Sequence, residues 1–200
     1  FEVDGMLHFE FRAMDQVGNV GYSGSNNSEG MSDDWIVRVY ATPPVFSNPI
    51  PGNQPNPNWS TTRIVTIGAS VASFDSTNTS VYYRYDSNGN GMYDTEEAWV
   101  PINQRNGTRT IRDRNAVSTQ INFASDGIFA FEFKAEDSLG NIGYSGLNSI
   151  LGIDDDWVVK INSIPPQIIN PTPSNQPLPA WQTSRTINIE AEISSSVLLN

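Results

Sequence analysis

FEFKAEDSLGNIGYSG, residues 131–146, decides the fold, because FEFRAMDQVGNVGYSG at residues 9–24 is nearly the same sequence. Its first five residues alternate apolar and charged side chains, the period of a strand with one buried face. Asp-Ser-Leu-Gly-Asn follows, and such residues reverse a chain: Gly adopts positive φ freely, and Asp and Asn accept hydrogen bonds from the backbone just ahead. Asp15 and Asp137 therefore read as turn formers, with metal ligation as the alternative. The two copies stand 122 residues apart, the separation of Phe9 from Phe131.

That offset holds without a gap on both sides. Asp4-Gly5 falls on Asp126-Gly127, DDW at 33–35 on DDW at 155–157, PP at 43–44 on PP at 165–166, and NQPNPNW at 53–59 on NQPLPAW at 175–181. Roughly half of residues 1–71 recur identically, the mark of a tandem array of one supersecondary unit. Each unit begins at its Pro-rich stretch, which cannot supply a continuous row of backbone donors. One complete unit then spans residues 43–163, residues 1–42 are the end of a preceding one, and residues 164–200 are the start of a following one. The chain opens on Phe1 rather than Met, which gives the expectation that it belongs to something longer.

Strand periodicity continues through the unit. RIVTIGASV (63–71), RTINIEAEI (185–193), SVYYRYD, STQINF, GIFAFEFKA and DWVVKI alternate or form short apolar runs. No window carries the i, i+3, i+4 pattern of a globular helix. Six to eight short strands in about 120 residues predict an all-β fold, a tandem series of antiparallel β-sandwiches.

Into this strand-rich unit is set DSNGNGMYDTEE, residues 86–97. It matches the calcium loop of an EF-hand position by position: oxygen-bearing side chains at Asp86, Asn88 and Asn90, the turn glycine at Gly91, a backbone carbonyl at Met92, then Asp94 and the closing Glu97. A hard cation held by six or seven oxygens needs short side chains at alternate positions and a longer one to complete the shell. The alternative is a polar hairpin turn, since Asn-Gly and Asp-rich runs are also ordinary turn chemistry. SVYYRY before the loop is a strand and not a helix, so the sequence predicts a calcium (Ca2+) loop inserted between two sandwich strands.

F-x-F-K-A-x-D-S-L-G-N-I-G at 131–143 resembles the late-strand motif of bacterial Ig-like repeats. V-V-K-I-N-S-I-P-P at 158–166 is similar to the last strand and Pro-Pro junction that join such domains in long surface proteins. The resemblance covers the whole repeat and implies Ig-like sandwiches serving as stalks, adhesins or cell-envelope layers. The strand-flanked calcium loop departs from the plainest members and is similar to calcium-stiffened variants.

Composition narrows the function. A net charge of -11 without basic clusters argues against nucleic acid and anionic membrane surfaces and favours cations. No apolar run nears the roughly 20 residues that span a bilayer. There is no Cys, and the single His8 is replaced by Ala130 in the repeat, so neither a thiol nor a Ser-His-Asp arrangement is available to each unit. The expectation is a protein that is not an enzyme. Four Asn-x-Ser/Thr sequons, at Asn26, Asn58, Asn78 and Asn106, are about what an Asn-, Ser- and Thr-rich chain holds by chance.

Two further groups carry open readings. Asp33 and Asp34, with Asp154, Asp155 and Asp156, stand just before a Trp and a strand; they read as charges of a solvated loop that discourage edge pairing, or as a second calcium site. Trp35, Trp59, Trp99, Trp157 and Trp181 read as core or junction packing, or as platforms for sugar rings. Together these observations predict a structural repeat of a long extracellular or cell-surface protein, stiffened by calcium. Its partners are neighbouring repeats, with self-assembly into a filament or layer. The alternatives are an adhesin or carbohydrate-binding module with a surface glycan or protein ligand, and the ancillary stalk of an extracellular enzyme.

Overall fold

Alternation of apolar and polar residues, broken by Gly, Pro, Asn and Asp, gives fifteen strands and no helix among the described residues. The computed structural model describes residues 4–24, 35–73, 78–102, 116–147, 156–174 and 179–195. The first four strands are β1 (Gly5–Phe9), β2 (Arg12–Met14), β3 (Val20–Tyr22) and β4 (Trp35–Val39). β1 pairs with β4 and β2 with β3, both antiparallel.

The middle of the chain holds nine strands: β5 (Val45–Ile50), β6 (Trp59–Ser60), β7 (Ile64–Ala72), β8 (Ser80–Tyr85), β9 (Val100–Pro101), β10 (Ala116–Asn122), β11 (Gly127–Glu136), β12 (Ile142–Tyr144) and β13 (Trp157–Ile161). They form two sheets, one in the order β10-β7-β5 and one in the order β6-β13-β11-β8-β9, with β12 also on β11. The larger sheet is antiparallel except where β6 runs parallel to β13. Between the two layers lies one core. Ile67, Ala69 and Val71 of β7 and Val117 and Ile121 of β10 meet Phe129, Phe131, Phe133 and Ala135 of β11, Val81 of β8, and Val159 and Ile161 of β13. This is a sandwich-like all-β arrangement, in which alternate side chains of each strand enter the core.

The last two strands, β14 (Gln167–Thr172) and β15 (Glu190–Ser194), pair antiparallel. The alternation over 185–193 thus yields a strand only from Glu190. In the middle unit most of the matching strand β7, its start included, is held by β10, from Ile64 opposite Asn122 to Ser70 opposite Ala116. No described strand stands in that place beside 185–189.

Pairing follows the 122-residue offset wherever both copies are described. Gly5 faces Val39 as Gly127 faces Ile161, and Phe9 faces Trp35 as Phe131 faces Trp157. Arg12 faces Tyr22 as Lys134 faces Tyr144. The irregularity after Ser47 in the β5–β7 pair recurs after Ile169 in the β14–β15 pair, with Asn48 and Asn170 both at positive φ. The turn acids also agree. Asp15 accepts the N–H groups of Val17 and Asn19, and Asp137 those of Leu139 and Asn141.

The Pro-rich segment lies along the same edge of β13 that β6 joins. Gln54 spans the gap that proline leaves, its carboxamide accepting from Val158 N–H at 2.7 Å and donating to Val158 C=O at 2.9 Å, as a paired strand would. At the front of the unit, the Asn141 side chain donates to Tyr40 C=O at 3.2 Å. A side chain at Gly143 would run into the Pro44 carbonyl, so glycine lets β12 lie against the Pro43-Pro44 junction.

Candidate metal centre

β8 ends at Tyr85 and hands the chain to the 86–97 loop while still on the sheet, for Asp86 N–H donates to Ala130 C=O at 2.9 Å. The Asp86 carboxylate is fully buried. Its Oδ1 accepts from Gly89 N–H at 2.7 Å and Asn90 N–H at 3.3 Å, and its Oδ2 from Gly91 N–H at 2.8 Å. Gly89 and Gly91 both sit at positive φ, near 76° and 81°, which a side chain would resist. One carboxylate thus organises the first half of the loop.

Glu97 organises the second half. It is nearly buried, and its Oε1 accepts from Ser87 N–H at 2.5 Å and Ser87 Oγ at 2.6 Å, while Oε2 accepts from Asp94 N–H at 2.9 Å. Between these, Asn88 and Asn90 direct their Nδ2 atoms to Asp94 Oδ2 at 2.8 and 3.0 Å. Their Oδ1 atoms accept from Asn90 N–H and Met92 N–H.

Five of the six sequence-predicted ligands are therefore tied into one network: Asp86, Asn88, Asn90, Asp94 and Glu97. The sixth, Met92, enters through its N–H. By donor chemistry the set fits a hard cation, with oxygens only and no sulfur or imidazole. Among the described residues, no three Asp, Glu, His or Cys side chains come together as a metal shell. Asn88 and Asn90 face Asp94 with nitrogen, so ligation would require both carboxamides to turn. The network is that of a hydrogen-bonded loop whose candidate donors already neighbour one another.

The loop also covers the outer face of the larger sheet. Tyr93, nearly buried, donates its hydroxyl to Asp156 Oδ2 at 2.5 Å. Burial and the adjoining Asp156 charge push that hydroxyl far above the ordinary tyrosine range, so it stays a donor. Beneath lies an ion pair: Arg84 Nη2 stands 2.7 Å from Glu132 Oε2, with Glu132 fully buried. The guanidinium is sandwiched between the Tyr93 ring at 4.0 Å and the Trp99 ring at 4.5 Å.

Sequence reasoning did not anticipate this cap. Tyr93 stands between two ligand positions of the loop pattern, and Glu132 is a charged residue of an alternating strand, so neither announces burial. Arg84, Tyr93 and Trp99 flank or lie in the loop in sequence, but Glu132 and Asp156 reach them only through the fold. Asp156 also departs from its reading as a solvated edge charge: it is buried and receives the Tyr93 hydroxyl. Asp33, Asp34, Asp154 and Asp155 lie outside the described residues.

The tryptophans divide. Trp157 packs edge-on against Phe131 and Phe133, and Trp99 lies tilted against Tyr144. Trp59 is partly exposed beneath Lys160, while Trp35 is half exposed against Phe9 and Phe11, and Trp181 is fully exposed. No helix among the described residues is long and apolar enough to cross a membrane. The chain matches no protein-family model, no curated protein and no solved structure.

Proposed function

We propose that this chain is part of a structural array, a series of Ig-like β-sandwich repeats in a long extracellular or cell-surface protein, each stiffened by calcium in its 86–97-type loop. The units are those read from the sequence, with 43–163 complete between portions of its neighbours at 1–42 and 164–200. The constant 122-residue offset of strand pairing supports the repeat. The observation that carries the mechanical reading is a path from loop to junction. Asp86 and Glu97 order the loop, Tyr93 ties it to Asp156, and Trp157–Ile161 runs from there towards Ser163, whose N–H Asp126 accepts at 2.9 Å just before Pro165-Pro166. The Pro-Pro step restricts the backbone and favours an extended connection, as a semi-rigid rod, filament or surface layer requires.

Calcium would be held by Asp86, Asn88, Asn90, the Met92 carbonyl, Asp94 and Glu97, and would supply charge neutralisation and order to that loop. Without it the three carboxylates repel one another and rely on the N–H donors described above. An ion that binds only the folded chain stabilises it by about 2.7 kcal/mol at a hundred times its dissociation constant. Extracellular calcium modules bind at about 10⁻⁴ to 10⁻³ M, which suits a protein outside the cell. The exposure of Trp181 favours, as a second reading, a surface that takes a glycan or protein ligand.

Thermal unfolding of the 200-residue chain in excess calcium and in chelator tests the proposal. A midpoint raised by calcium, with the rise abolished in the Asp86→Ala, Glu97→Ala double variant, is expected. An identical midpoint in both solutions would remove calcium from the reading and leave a hydrogen-bonded polar loop.

A further inference from the structure

The loop contains two Asn-Gly steps, Asn88-Gly89 and Asn90-Gly91. Such a step is chemically labile because glycine offers no side chain to hinder attack by its backbone nitrogen on the preceding Asn carboxamide. The nitrogen loses its proton and bonds to Cγ, ammonia leaves, and a five-membered succinimide remains. Water then opens the ring to Asp or to isoaspartate. No co-reactant beyond water is needed.

All four Asn and Gly residues of the two steps lie at the loop surface, within reach of water. Yet each participant in the reaction is held. The attacking nitrogens are those of Gly89 and Gly91, and both donate their hydrogens to the same buried carboxylate, Asp86, at 2.7 and 2.8 Å. A carboxylate at that distance stabilises the N–H and opposes the deprotonation that attack requires. The carboxamides are engaged as well. Their oxygens accept from Asn90 N–H and Met92 N–H, and their nitrogens, the leaving groups, donate to Asp94.

We infer that 86–97 is a latent deamidation site, at Asn88 and Asn90, which Asp86 keeps silent by holding both glycine N–H groups. This does not rest on the calcium reading, because every group in it belongs to the chain. Opening of the loop releases the nitrogens and carboxamides together, so modification reports how often the loop opens. Either product adds a negative charge to the loop, and isoaspartate also lengthens the backbone immediately before a glycine whose positive φ closes the turn.

Peptide mapping by mass spectrometry after prolonged incubation of the 200-residue chain at mildly alkaline pH, in chelator, decides the matter. Asn106-Gly107 serves as a third Asn-Gly step in the same molecule, and the urea-unfolded chain gives the unprotected rate at each step. Native protein is expected to deamidate at Asn88 and Asn90 at least about ten-fold more slowly than unfolded protein, since attack must await local opening. Asp86→Ala, with its β-type circular dichroism retained, is expected to recover most of that loss, and Asp86→Asn part of it. Equal native and unfolded rates would overturn the inference. So would protection that persists in a folded Asp86→Ala chain, which would assign the silence to Asp94 or to the backbone alone. Should Asp86→Ala unfold, the Asp86→Asn chain decides: it keeps an acceptor without charge, and an unchanged native rate there would equally overturn the role of Asp86.

Discussion

Phe11 and Phe133 occupy the same place in the repeat, 122 residues apart, and each is the last residue of a Phe-Glu-Phe triplet. In both copies the backbone N–H at this position donates to a serine Oγ, Ser23 at 2.7 Å and Ser145 at 2.8 Å. Yet Phe133 is fully buried and Phe11 is 60% exposed. The matching pair Val71 and Ile193 differs in the same way, 0% against 60%. Local structure is thus set by local sequence, whereas burial is conferred by the second layer. Phe133 has Phe46 of the smaller sheet stacked against it at 5.8 Å, and no described strand faces Phe11 in that manner.

The sharpest way to break this comparison is to truncate both phenylalanines. Phe133→Ala should cost about 3–5 kcal/mol, the lost burial plus the cavity left in the core. Phe11→Ala should stay within about 0.5 kcal/mol, as surface changes do. Urea unfolding of each variant measures the difference. Equal costs would mean that the amino-terminal strands are covered in solution by a layer of the kind the middle unit supplies for itself.

Next comes the charge pair under the loop. Arg84→Ala would leave Glu132 buried without the guanidinium, at a cost of about 3 kcal/mol. Glu10, the counterpart of Glu132, is only partly buried and accepts Gly24 N–H. Glu10→Gln should therefore be close to neutral in the same unfolding experiment. If Arg84→Ala is also neutral, the loop does not exclude water from the pair as the burial of Glu132 implies.

Glycine gives a third contrast. A Cβ at Gly143 would run into the Pro44 carbonyl, whereas one at Gly21, its counterpart, meets nothing within 4 Å. Gly143→Ala must push the junction off β12, at about 1–3 kcal/mol, the usual cost of overpacking. Gly21→Ala should be neutral or slightly stabilising, since it removes backbone freedom from the unfolded chain. Thermal midpoints distinguish the two, and a silent Gly143→Ala would show that β12 and the Pro-Pro step are not in firm contact.

What could be read from the sequence follows the same division. Strand positions, the turn acids Asp15 and Asp137 and the repeat offset were legible because each is encoded within a few residues by period two or by Asp, Gly and Asn. That residues 86–97 form one closed polar loop was legible because the spacing of Asp, Asn and Gly is itself the pattern. The covering role of Tyr93 and the burial of Asp156 were not, because they arise where residues 63 apart in sequence meet across the sheet. Strand length at 185–193 was over-read for a related reason: alternation proposes a strand, but a neighbouring strand must supply the ladder.

The smallest effect tests the shared, local side of the comparison. Asp126 is held below the ordinary aspartate range by hydrogen bonds from Ser163 and from Arg63, and Asp4, its counterpart, by those from Thr42 and Ala41. Burial pushes Asp137 upward, but the Asn141 side chain and nearby N–H groups outweigh it; Asp15 is lowered in the same way by Asn19. A carboxyl group whose folded pKa is depressed binds fewer protons folded than unfolded. Its contribution is then complete above the unfolded value of about 4 and is lost as pH falls through the lower folded value. Replacing Asp126 or Asp137 by Asn removes the titration, so stability should fall less steeply below about pH 4 than in the parent chain. Asp15→Asn should flatten that limb by a similar amount if its hydrogen bonds, from Val17 and Asn19, are set locally, without need of a second layer. A flattening confined to the Asp126 and Asp137 variants would mean that even the turns draw their strength from the sandwich, and that local sequence alone does not hold them.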